Sequence, residues 1–338
     1  MGRKRAKERE RPLDLALERV VRDRPHHAVI DIGSNSVRLV VYDQLDRAPF
    51  PRFNEKSLCR LGAGLAETGE LAAAGFRRTI ESVRRFHAVA DAMAATKIDV
   101  IATEAVRRAS NGPTLVEAIR QDTGLEVRVL SGGEEAYFAG LGVVAGFYRP
   151  TGLVGDMGGG SLEVIEVLDD RVGERSVSLP LGALPVQALM AEHGQEARRH
   201  IDTLLAEAMP PALAKPVYHA VGGNWRAFAK AHMAEVGAPV RVVHGYSVET
   251  KAVRDFAKRL WQMPEAKLKK LPGVASRRAT TLPAAALVLD RVLKRLAPEA
   301  VTFSVLGVRE GWLYEQLDAK ERYLDPLLEG AQAFGQPQ

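Results

Sequence analysis

A chain of 338 residues, 46% hydrophobic and 26% charged, has ordinary globular composition and a length that favours two domains over one. No stretch approaches about 18 uncharged apolar residues, and the basic start (Arg3, Lys4, Arg5, Lys7, Arg9, Arg11) lacks the apolar run of a secretory signal, so a cytoplasmic protein with no membrane partner is expected. The net charge of +5 is concentrated in residues 1–24, where nine basic residues face five acidic ones, and the single cysteine, Cys59, excludes an intrachain disulfide or a Cys-rich zinc site and is read as packing.

Residues 1–25 read as a basic extension, most simply a solvated arm, with nucleic acid left open as its partner. Residues 26–43, HHAVIDIGSNSVRLVVYD, read as a buried strand, a Gly/Ser/Asn turn and a second strand, with Asp31 ending the first. A long helix follows over 71–95, short strands over 98–102 and 126–130, and an apolar helix over 134–147. Pro150 and Gly152 mark a boundary between a first lobe, 26–149, and a second, 150–325.

The second lobe opens with GLVGDMGGGSLEVIEVLDD, residues 152–170, which repeats the grammar of 26–43 and places Asp156 where the first copy has Asp31. A strand over 217–221 then precedes Gly222-Gly223-Asn224 and a helix. A helix over 281–296, a strand over 301–304 and a last helix from Gly307 through Leu317 complete the lobe, leaving 326–338 as a tail. Two copies of strand, acidic turn and strand, each opening a region of alternating strands and helices, predict a duplicated α/β domain.

A glycine-rich hairpin turn lets backbone N–H groups converge on an anion, because no Cβ blocks the approach. The candidate phosphate cradles are therefore Gly33, Ser34, Asn35 and Ser36 with the adjoining Arg38, then Gly158, Gly159, Gly160 and Ser161, with Gly222 and Gly223 beside them. Asp31 and Asp156, facing one another across a cleft, are the paired carboxylates that Mg²⁺ would use. Residues 247–296 carry twelve basic residues against four acidic ones, a candidate anion-attracting face with a solvated helix surface as the competing account. In SGGEEA, Ser131 and Glu134 have capping-box spacing, while Glu135 points about 100° away around the helix.

Taken in order, DIGSNSVRLVV at 31, RLGAGL at 60, ATEAVRRASN at 102, SGGEEA at 131, DMGGGSLEV at 156, LPLGA at 179, AVGGN at 220 and LGVREGWLYE at 306 resemble the exopolyphosphatase/guanosine pentaphosphate phosphohydrolase family of the actin, sugar kinase and Hsp70-like superfamily. The resemblance covers about 26–318 and implies an α/β fold of duplicated actin-like (ribonuclease H-like) domains around an interdomain cleft. It implies a phosphoanhydride hydrolase, with Glu135 as catalytic base and Arg107 and Arg309 neutralising the transferring phosphoryl group. Glu163 matches an acidic position that holds metal or water.

This chain departs from the family pattern at Asn224, where relatives continue with Thr, and at Thr280, where they often have Asp. It ends near Gln338, where longer members continue into a helical domain, so a short two-domain form is expected. Family members are commonly dimers, which leaves a homodimer open. Inorganic polyphosphate is the leading substrate and guanosine pentaphosphate the alternative, with a superfamily kinase and a non-enzymatic polyphosphate or alarmone binder as competing classes.

Overall fold

The computed structural model of the chain describes residues 26–210 and 215–335, so the basic extension 1–25 lies outside the described residues. In the first lobe, strands β1 (His26–Ile32), β2 (Val37–Tyr42) and β3 (Pro51–Ser57) precede helix α1 (Ala73–Ala92) and strand β4 (Ala95–Ala102). Helices α2 (Glu104–Arg108) and α3 (Gly112–Thr123), strand β5 (Val127–Val129) and helix α4 (Gly132–Gly146) follow. The second lobe begins with β6 (Thr151–Met157), β7 (Leu162–Leu168) and β8 (Arg171–Leu179), then α5 (Ala183–His193), α6 (Ala197–Ala208), β9 (Val217–Val221) and α7 (Gly223–Glu235). It continues through β10 (Tyr246–Glu249), α8 (Thr250–Trp261), α9 (Leu282–Leu296), β11 (Ala300–Phe303) and α10 (Val308–Glu315). The segment read as a tail is helical over Pro326–Gly335.

The duplication is visible in strand order. The first sheet runs β3-β2-β1-β4-β5 and the second β8-β7-β6-β9-β11, with β10 added at its edge. In each, an antiparallel three-strand meander joins parallel strands through its first member. The central strands β1 and β6 are buried along most of their length, as expected of strands covered on both faces. Each lobe has its own core: Phe86, Leu115 and Ile119 close one side of the first sheet, and α9, buried nearly all round, is the centre of the second.

A third core lies between the lobes and is built by an exchange that chain order hides. Helix α4, which follows the first sheet in sequence, packs on β6, β7 and β8 of the second. Helix α10, last in the second lobe, crosses α4 and reaches back to the first sheet: Tyr42 Oη donates to Glu310 at 2.8 Å and Trp312 Nε1 to Asp99 at 2.7 Å. Val29, Ile101, Val143, Val154, Val221 and Leu313 share this core. The two helices touch backbone to backbone, since a Cβ on Gly311 would lie 1.8 Å from the Phe138 carbonyl oxygen. Their N-terminal ends, carrying Glu135 and Arg309, are thereby fixed relative to each other.

Candidate active site

The two hairpin turns have the same local geometry. Gly33 N–H donates to Ser36 O at 3.1 Å, and Gly158 N–H donates to Ser161 O at 3.0 Å. They meet tip to tip, with the Cβ position of Gly159 3.0 Å from Ser34 Cβ, and together they border a cleft of about 200 Å³. The cleft brings together Asp31, Gly33, Ser34, Asn35, Ser36 and Arg38 from the first lobe with Asp156, Gly158, Gly159, Glu163, Gly222 and Gly223 from the second. Glu135 and Arg309 line it as well, whereas Gly160 and Ser161 turn their side of the second loop away from it. Helices α4, α7 and α10 begin at or beside its walls, so their positive dipole ends favour an anion there.

The adjacent glutamates of SGGEEA separate as their spacing predicts. Ser131 and Glu134 form a reciprocal capping box, with Glu134 also paired to Arg128, while Glu135 turns inward and is buried. Burial pushes the Glu135 carboxyl up to about 7, against the pull of Arg107, which hydrogen bonds to it, and with the repulsion of Asp156 and Asp31. Arg107 Nη1 also donates to the Leu130 carbonyl, which ties the guanidinium to the glutamate and to the strand end before α4. It does not line the cleft directly. Its neighbour Arg108 is largely exposed.

The acidic residues differ in their partners. Asp31 accepts from Arg309 Nη1 at 2.7 Å. Asp156 has no ion pair among the described residues, and burial, with Asp31 and Glu310 nearby, pushes it up to about 6 despite Arg226 and Arg309. Glu163 lies directly opposite Asp156 in the β6–β7 register. Burial and then Glu135 push its carboxyl well up, although Ser178 Oγ donates to it at 3.0 Å and Ser161 donates as well. Among the described residues no three His, Cys, Asp or Glu side chains form a ready-made metal shell. The donors that do converge, Asp156 and Glu163, are hard oxygen ligands whose mutual repulsion a divalent cation relieves, which fits an ion that takes one or two carboxylates and keeps its waters.

Sequence reasoning missed two residues. Arg226, three positions into α7, lines the cleft, has its pKa lowered by burial and by Arg309, and among the described residues its side chain makes one long hydrogen bond, 3.4 Å, to Val305 O. With Arg38, held down to about 10 by burial and by Arg309 and Arg226, and with Arg278 and Arg309, it makes the cleft a gathering of guanidinium groups. Its sequence signal, an arginine just after a Gly-Gly helix start, was present but unread. Glu104 was hidden inside ATEAVRR and is buried beside Ser34. Asn224, a departure from the family pattern, is accounted for: its Oδ1 accepts from Arg278 at 2.8 Å and from Thr281 at 2.9 Å, orienting Arg278 toward the cleft.

Part of the basic excess over 247–296, expected to form either an anion-attracting face or a solvated helix surface, is taken up by acidic partners. Arg254 pairs with Asp290, Arg291 with Asp202 and Asp290, Arg259 with Glu235, and Lys269 with Glu265. Two of those acids, Asp202 and Glu235, lie outside the window in which the charges were counted, and from this segment Arg278 and Thr281 reach the cleft. Cys59 is fully buried as packing. No helix among the described residues is long and apolar enough to cross a membrane.

The sequence model of the Ppx/GppA phosphatase family matches residues 26–320. The chain belongs to that family. Exopolyphosphatase 1 of Mycobacterium tuberculosis is 28% identical over 306 residues, covering 86% of this chain and 88% of the relative. A guanosine-5'-triphosphate,3'-diphosphate pyrophosphatase of Aeromonas hydrophila is 26% identical over 324 residues, covering 90% of this chain and 63% of its own length. The Ppx/GppA family member of Aquifex aeolicus superposes with a TM-score of 0.72 at 25% identity, covering 86% of this chain and 97% of the other. An exopolyphosphatase from Cytophaga hutchinsonii has a TM-score of 0.76 at 22% identity with the same coverage and shares the fold. The architecture is thus the duplicated actin-like one, and Glu135, Asp156 and Arg309 stand in the interlobe cleft of a Ppx/GppA protein.

Proposed function

We propose that this Ppx/GppA protein is an exopolyphosphatase, releasing terminal orthophosphate from inorganic polyphosphate by attack of water. The observation that carries the reading is a buried glutamate, Glu135, pushed up to about 7 beside two anion cradles and a cluster of arginines. A base of that strength takes a proton efficiently near neutral pH. The backbone N–H groups of residues 34–36 and of Gly159 grip the terminal phosphate, and Arg309, Arg226 and Arg38 balance its charge. The water oxygen forms a bond to the terminal phosphorus, its proton passes to a Glu135 oxygen, and the bridging P–O bond breaks, leaving the shortened chain and orthophosphate. Arg107 orients the Glu135 carboxylate and restrains its pKa from rising further.

A divalent cation, Mg²⁺, fits beside Asp156 and Glu163, where it would neutralise phosphate charge; Asp31 is already engaged by Arg309. Polyphosphate is favoured as substrate because several guanidinium groups line one cleft, which suits a chain of anions held through many contacts.

The test is orthophosphate release by the full chain with Mg²⁺, offering long polyphosphate, guanosine pentaphosphate and ATP in parallel. Polyphosphate is expected to be consumed fastest, and cleavage of the nucleotide alone would replace it as substrate. Glu135→Gln is expected to lower kcat by about 10²–10⁴-fold, the range of a general base, without lowering the thermal midpoint. Turnover equal to wild type would remove Glu135 from the chemistry.

A further inference from the structure

Glu104 opens helix α2 and is 5% exposed. Its carboxylate accepts from Ser34 Oγ at 3.1 Å and from Arg108 Nη1 at 2.8 Å. It also covers Gly160 of the other lobe, so closely that a Cβ there would lie 1.8 Å from Glu104 Oε2. One side chain of the first lobe thus touches both phosphate loops at the seam where they meet. Beyond the seam is a second cavity of about 310 Å³, walled by Gly62, Leu65, Leu184 and Ala188. Ser34 borders both spaces.

We propose that Glu104 is a positioning residue for hydrolysis: it seats Ser34, and with it the first loop, against Gly159 and Gly160, fixing where the terminal phosphate lies relative to Glu135. This rests on the hydrolase reading given above. Because Ser34 Oγ donates to Glu104, its oxygen offers the cleft lone pairs and no donor, which leaves the grip on phosphate in the first loop to backbone N–H groups and to Asn35 and Ser36. The buried carboxylate keeps Arg108 as a counter-charge, and its bulk separates the cleft from the second cavity. Loosening this seat lets the loop drift from its partner, and a misplacement of about 1 Å at a reacting group costs up to about 10²-fold in rate.

The test uses the full chain. Glu104→Ala is expected to lower kcat for polyphosphate about tenfold while KM changes less than about twofold, because the cradles remain but their spacing does not. Glu104→Gln keeps an oxygen that accepts from Ser34 and is expected to stay within about threefold of wild type. Ser34→Ala added to Glu104→Ala is expected to cost less than about twofold more, since the pair acts as a unit. Gly160→Ala, which pushes the carboxylate off Ser34, is expected to resemble Glu104→Ala, with little added by combining them. Wild-type kcat in Glu104→Ala, or losses that multiply with Ser34→Ala, would overturn the proposal. Hydrogen exchange at the amides of 33–36 needs no turnover and is expected to quicken in Glu104→Ala but not in Glu104→Gln. Unchanged exchange defeats the seat even if the wild type hydrolyses none of the phosphoanhydrides, a result that would by itself defeat only the hydrolase reading.

Discussion

The two hairpins share a backbone and differ in charge. In the first, Asp31 faces Arg38 across the β1–β2 pair, and in the second Asp156 faces Glu163 across β6–β7. Opposite charges at directly opposed positions stabilise a sheet and like charges destabilise it. The first carboxylate is engaged further by Arg309, while the second pair stays raised by burial, with Asp31 and Glu310 acting on Asp156 and Glu135 and Asp156 acting on Glu163. Duplication thus preserved two glycine-rich turns facing one cleft and left one of them electrostatically unfinished. On the function proposed above, a divalent cation would complement that one.

If this contrast governs activity, Asp156→Asn is expected to cost about 10³-fold in kcat and to raise the Mg²⁺ needed for half-activity, the scale at which an electrostatic stabiliser acts. Asp31→Asn removes a charge whose partner Arg309 still has Glu310 at hand, and about tenfold is expected, with Mg²⁺ dependence unchanged. Steady-state rates over a Mg²⁺ titration separate the two, and equal losses would erase the distinction between the hairpins.

The interlobe core offers the next test. Gly311→Ala pushes a methyl into the Phe138 carbonyl and is expected to destabilise by about 3 kcal/mol, the upper range for overpacking, read by denaturant unfolding. Turnover should fall with it, because Glu135 and Arg309 begin the two helices that would be forced apart.

Smaller effects follow from titration. The acid limb of kcat/KM in wild type is expected near the value of about 7 to which Glu135 is raised. Arg107→Ala removes a charge that holds that value down, so the limb should move to higher pH; movement to lower pH would contradict the pairing. Folded-state pKa values of Glu135 and Asp156 lie above their ordinary range, at about 7 and about 6, so their contribution to stability is complete below about pH 4 and is lost as pH rises through about 6–7, and Glu163 is raised in the same direction. The metal-free thermal midpoint should therefore fall between about pH 4 and 7, to a first estimate by a few degrees, and Glu163→Gln should flatten that fall.

Much of this was legible in the chain. The repeat of Asp31-Ile-Gly33 in Asp156-Met-Gly158, the capping box at Ser131 and Glu134, and the helix and strand periods are local signals, because turn chemistry and side-chain period act over a few residues. Even the contrast between Arg38 and Glu163 is present as the residue seven positions after each aspartate. Counting charge within a window overstated the basic excess over 247–296, since Asp202 and Glu235 fold back from elsewhere to pair with part of it.

By itself the sequence determined two cradles, their acids and the orientation of Glu135 away from its capping neighbour, all consequences of local geometry. Tertiary structure alone decided that α4 leaves its own lobe to pack on the other sheet, that Arg309 is shared with Asp31, and that Glu104 lies over Gly160. Each of these joins residues distant along the chain. Burial and repulsion, which set the basicity of Glu135, come into being only when those residues meet.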